Sequence, residues 1–164
     1  MIARLIATVF YSGYLKPAPG TWGTLAALPL GWLAAQWAGF FGFVVCTVVA
    51  FAVGLWATGE ETRGKDNHDP GEIVIDELVG VWIALMPVIY GANARDVDLL
   101  ALWPGWVAAF VLFRLFDIWK PGPVGKADRR GGSMGVMLDD VIAGVFAALG
   151  VVALAALFHL VILV

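Results

Sequence analysis

The stretch "LAALPLGWLAAQWAGFFGFVVCTVVAFAVGLWAT", Leu25 to Thr58, contains no Asp, Glu, Lys or Arg and carries Gly39 and Gly42 beside Trp37, Phe40 and Phe41. A spanning helix needs about 20 apolar residues, so the stretch is too long for one crossing and short of two full lengths. Aromatic residues concentrate at membrane interfaces, and glycine tolerates the backbone angles of a tight turn. The segment therefore reads as a hairpin of two short spans, with one long span as the rival reading.

The rest of the chain fits a membrane setting. Its 164 residues are 61% hydrophobic, above the roughly 45–50% of soluble domains, and mean hydropathy is +0.87. Further candidate spans are Leu78 to Tyr90, which is short unless it starts near Ile73, then Leu99 to Phe116 and Val141 to Val164. The expected fold is all-α: one integral membrane domain of four to five transmembrane helices with polar loops gathered on one side. A net charge of −3 with no basic block argues against nucleic-acid binding. The single cysteine, Cys46, lies in an apolar run, which excludes a disulfide framework and a thiolate metal cluster. The first apolar segment lacks a small-residue cleavage site, so no removable signal peptide is expected.

With the hairpin in place, the polar segments Tyr11 to Gly23, Gly59 to Glu77 and Asp117 to Asp140 fall on the same face of the bilayer. Nine of the ten Lys and Arg residues lie in or beside these segments or near the N-terminus, leaving only Arg95 on the other side. The positive-inside bias places the charged face in the cytoplasm.

Two of these segments echo each other. "IVIDELVGVW" (Ile73 to Trp82) and "VMLDDVIAGVF" (Val136 to Phe146) both run apolar, acid pair, apolar, Gly-Val-aromatic. Each is expected to open a helix, with its acids in the first turn at the positive end of the dipole and its glycine admitting a neighbouring backbone. A carboxylate entering hydrocarbon costs about 2.5–3.5 kcal/mol unless it is paired or metal-bound. Asp76, Glu77, Asp139 and Asp140, together with Asp117 and Asp69, form an all-oxygen donor set that suits a hard cation such as magnesium rather than zinc. Magnesium commonly shares its coordination between carboxylates and a substrate phosphate. Arg114, Lys120, Lys126, Arg129 and Arg130 supply phosphate-binding cations in the same region. "KPAPGTWGT" (Lys16 to Thr24) and "GGSMG" (Gly131 to Gly135) read as loops whose amides cradle an anion, with Thr21 and Lys16 adding donors. His68 reads as a loop residue, and His159 and Cys46 as bystanders. A cysteine or histidine nucleophile has no support, which leaves metal-assisted attack on phosphorus by water or by an aspartate.

Three blocks then resemble the phosphatidylglycerophosphatase A family: "PAPGTWGTLAALP" (Pro17 to Pro29), "HDPGEIVIDELVG" (His68 to Gly80) and "FRLFDIWKPGPVGKADRRGGSMGVMLDDVIAG" (Phe113 to Gly144). The resemblance implies a magnesium-dependent hydrolase of the bacterial inner membrane, facing the cytoplasm, that converts phosphatidylglycerophosphate to phosphatidylglycerol in phospholipid synthesis. It implies Asp69, Asp76, Glu77, Asp117, Asp139 and Asp140 as metal ligands or catalytic acids, and Thr21, Arg114, Lys120 and Arg130 as phosphate contacts. The rival class is a small carboxylate-lined cation carrier or channel, whose acids would face one another at mid-membrane.

Overall fold

A computed structural model describes residues 1–65 and 70–161, and among them every regular element is helical. After a short α1 (Ile2–Ala7) comes α2 (Pro19–Thr62), whose only non-helical residue is Gly39, at φ +63° and ψ −171°. The remaining elements are α3 (Ile75–Arg95), α4 (Trp103–Trp119) entered through a 3-10 turn (Leu99–Leu102), a short α5 (Pro123–Asp128), and α6 (Gly132–Val161).

The neighbours of α3 settle how α2 runs. Along residues 19–38, Gly20 sits on Glu77 and Gly31 on Trp82, and the Trp82 indole N–H donates to the Ala27 carbonyl at 2.9 Å. Beyond Gly39 the order reverses. Phe40 stacks edge-on with Tyr90 at 5.3 Å, Phe43 meets Trp82, and Gly54 packs against Ile75 and Met137. The chain turns at Gly39 and comes back, so α2 is a helical hairpin. Each arm of 20-odd residues is about 30 Å long, a membrane thickness. Asn93 stitches the bend to the end of α3, its Oδ1 accepting from the Phe40 N–H at 3.3 Å.

Among the described residues four helical segments are long and apolar enough to span, and the hairpin gives one of them two arms of spanning length. The five crossings alternate in direction. In α3, 67% of the apolar window is buried inside the protein, against at most 22% in the others, which makes α3 the central post. Small residues let its neighbours approach closely. A Cβ on Gly144 of α6 would strike the Gly80 carbonyl, one on Gly80 would also strike Phe113 of α4, and one on Gly105 would come 2.9 Å from Val88.

Three boundaries differ from the sequence reading. α3 runs from Ile75 to Arg95, longer than Leu78 to Tyr90 at both ends. α4 reaches Trp119 rather than Phe116, which brings Asp117 into its last turn. α6 starts at Gly132, nine residues ahead of Val141, so Asp139 and Asp140 lie about two turns below the helix start and not in its first turn. Gly131 and Gly132, at φ +68° and +66°, make the turn after α5, and Ser133 onwards is already helix. Most of "GGSMG" is therefore helix rather than an anion-cradling loop. Likewise Pro19 occupies the first turn of α2, where its fixed φ and missing N–H do no harm, so Gly20 to Thr24 are helical.

A candidate metal and phosphate site

The entry turn of α2, the first turn of α3, the last turn of α4 and the third turn of α6 meet at one end of the bundle. Between them lies a cavity of about 320 Å³ whose ionisable lining is Asp76, Glu77, Arg114, Asp117, Lys120, Asp139 and Asp140. Its carboxylates come from three separate helices. The Gly80–Gly144 crossing brings α3 and α6 together, and Asp76 and Asp140 each stand one turn before their glycine.

Asp117, Asp139 and Asp140 each offer an oxygen within 4.8 Å of the other two. Asp139 and Asp140 are buried, as are Asp76 and Glu77, and Asp139 Oδ1 is buried with no hydrogen-bond partner among the described residues. An unsatisfied buried oxygen costs about 1–3 kcal/mol, more when charged. Among the described residues the cavity sets five carboxylates against two cations. Excess negative charge, an orphaned oxygen and three converging hard donors fit a divalent cation with a preference for oxygen, such as magnesium.

The cations are fixed by these same acids. Arg114 Nη1 pairs with Asp117 Oδ2 at 2.7 Å and donates to Glu77 Oε2. Thr24 Oγ1 donates to that Glu77 oxygen at 2.8 Å. Gly20 gives Glu77 its room, since a Cβ there would overlap Oε1. Glu77 is thus held by Thr24 and Arg114 and aims the guanidinium into the cavity. Lys120, at the end of α4, reaches Asp139 Oδ2 at 2.8 Å and also pairs with Asp128. Burial works against its ammonium, yet the hydrogen bonds to Asp128 and Asp139 prevail and raise its pKa above the ordinary lysine value, so it stays charged.

Of the expected site residues, Asp76, Glu77, Asp117, Asp139, Asp140, Arg114 and Lys120 line the cavity. Thr21 is half-buried and Arg130 exposed, and neither is in the lining. Asp69 and His68 lie outside the described residues. His159 sits near the far end of α6, beside the Ala155 carbonyl. Thr24 was not anticipated. The signal for it was the run of small residues Gly20, Thr24, Ala27, Gly31 and Ala35, whose helical spacing marks the face of the first arm that packs on α3.

The family model of phosphatidylglycerophosphatase A matches residues 5–155. A protein of that name from Haemophilus influenzae is 38% identical over 92% of this chain and 87% of its own length. Another from Escherichia coli is 37% identical over 88% of this chain and 78% of its own. A protein of Bacteroides thetaiotaomicron named as a putative phosphatidylinositol-3-phosphatase is 41% identical over 87% of this chain and 86% of its own. No solved structure gives a significant match.

Proposed function

The chain belongs to the phosphatidylglycerophosphatase A family, and from that premise we propose that it removes the terminal phosphate of phosphatidylglycerophosphate with the help of magnesium. The reaction releases phosphatidylglycerol and inorganic phosphate. The observation that carries this reading is the convergence of Asp117, Asp139 and Asp140 within 4.8 Å in one cavity with Arg114 and Lys120, at the end of a membrane bundle. We place that end on the cytoplasmic side of the bacterial inner membrane, since nearly all the basic residues gather there.

The three aspartates would hold magnesium, which supplies charge neutralisation on the phosphoryl group. Arg114, aimed by Glu77 and Asp117, presents its planar fork to phosphate oxygens. Lys120 adds a point charge at the rim. The diacyl tails remain in lipid while only the headgroup enters, so a cavity at the end of the spans suits a substrate that arrives laterally. A cation carrier would need its acids along a path through the bilayer, whereas here they gather at one end.

The test is direct. Purified protein with phosphatidylglycerophosphate and magnesium is expected to release inorganic phosphate, and chelation is expected to stop it until magnesium is restored; turnover that resists chelation sinks the metal assignment. Arg114→Lys keeps the charge but loses the fork, and an expected loss of roughly tenfold or more in kcat/KM follows from removing an aligned donor. Unchanged kinetics would remove Arg114 from phosphate binding. A second reading, an inositol lipid monophosphate as substrate, is favoured by the name of the Bacteroides relative. Competition between the two lipids in one assay decides the preference.

A further inference from the structure

Asp128 lies outside the cavity lining, yet the chain folds back to bring it to Lys120. Lys120 caps α4 in the left-handed region at φ +49°, and Gly122 follows at φ +48°. α5 then packs down through the fully buried Val124, and Gly125 lies so close to the Lys120 carbonyl that a Cβ would come within 2.8 Å. The segment 120–128 thereby closes on itself, its last residue pairing with the side chain of its first.

The Lys120 ammonium is shared between Asp128, which is 39% exposed, and Asp139, which is 7% exposed and holds Nζ at 2.8 Å. A lysine ammonium has three N–H donors. With two on these carboxylates, one remains free for a third acceptor. Were Asp128 missing, Asp139 would be the partner left to Lys120, and the full ammonium charge would bear on the carboxylate whose other oxygen, Oδ1, is the one open to a cation.

We propose that Asp128 is a positioning residue that holds Lys120 at the rim of the cavity. A divalent cation can then take Asp139 while Lys120 keeps an anchor and turns a donor towards the incoming phosphate. This inference rests on the magnesium phosphatase reading. The test is magnesium affinity, measured by calorimetry on detergent-solubilised wild type, Asp128→Asn, Lys120→Met and the double variant.

Asp128→Asn is expected to weaken magnesium binding roughly three- to fivefold, the scale of a part-exposed ion pair, and Asp128→Glu to restore most of it. Lys120→Met is expected to bind at least as tightly as wild type, and in that background Asp128→Asn should change nothing further. Equal weakening with and without Lys120 would show that Asp128 acts through its own charge and overturn the proposal, as would no weakening in either. A wild-type protein that binds no magnesium would sink the reading beneath it.

Discussion

Asp140→Asn is expected to lower turnover by roughly a hundredfold or more, since loss of a residue that merely orients a metal ligand already costs 10–100-fold. The same substitution should leave the protein at least as heat-stable as before when magnesium is absent. Asp140 is 3% exposed and faces like charge from Glu77, Asp117, Asp76 and Asp139. Asparagine keeps the shape and removes that repulsion, a trade of activity against stability common at functional sites. Magnesium should raise the melting temperature of wild type, by mass action on the folded state, and have little effect on Asp140→Asn. Near-native turnover, or an unaltered thermal response to magnesium, would take Asp140 out of the site.

Gly144→Val is expected to abolish folding into the membrane, or to leave a protein without activity. A Cβ at 144 meets the carbonyl of Gly80, and the groups around it are backbone, with no flexible side chain to swing aside. Overpacking commonly costs about 1–3 kcal/mol, and here relief requires α3 and α6 to separate. That separation would pull Asp139 and Asp140 away from Asp76 and Glu77. Gly91→Ala is the control, because its nearest neighbours are side-chain tips at 3.8 and 3.9 Å and alanine favours a helix interior by about 1 kcal/mol. Yield, melting temperature in detergent and activity should fall together for Gly144→Val and hold for Gly91→Ala. A Gly144→Val protein that is folded and active would show that the crossing does not set the site.

Much of this arrangement was legible in the chain. The charge-free run from Leu25 to Thr58 was too long for one crossing, and glycine next to aromatics marked where it turns. The acid pairs were legible because carboxylates at membrane depth need a physical reason. Less readable was the start of α6. Gly131 to Gly135 look like a loop by composition, and only the positive φ angles of Gly131 and Gly132, followed at once by helix, show where it ends. Thr21 and Thr24 illustrate a different limit. Both are small hydroxyl residues three apart, and which one reaches Glu77 depends on the face that the first arm of α2 turns towards α3. Asp128 was obscured for a related reason, since its partner is selected by the fold of a six-residue helix and not by any periodic pattern.

The bend at Gly39 also bears on how the protein is made. One non-helical residue links the two arms, so no hydrophilic stretch has to be hauled through the lipid when they insert. With the charged end facing the cytoplasm, as proposed, both arms can enter from the side of synthesis as a single wedge, and the Phe40 amide finds its acceptor on Asn93 of α3. Lengthening that bend with polar residues would add a translocation step that the natural chain avoids.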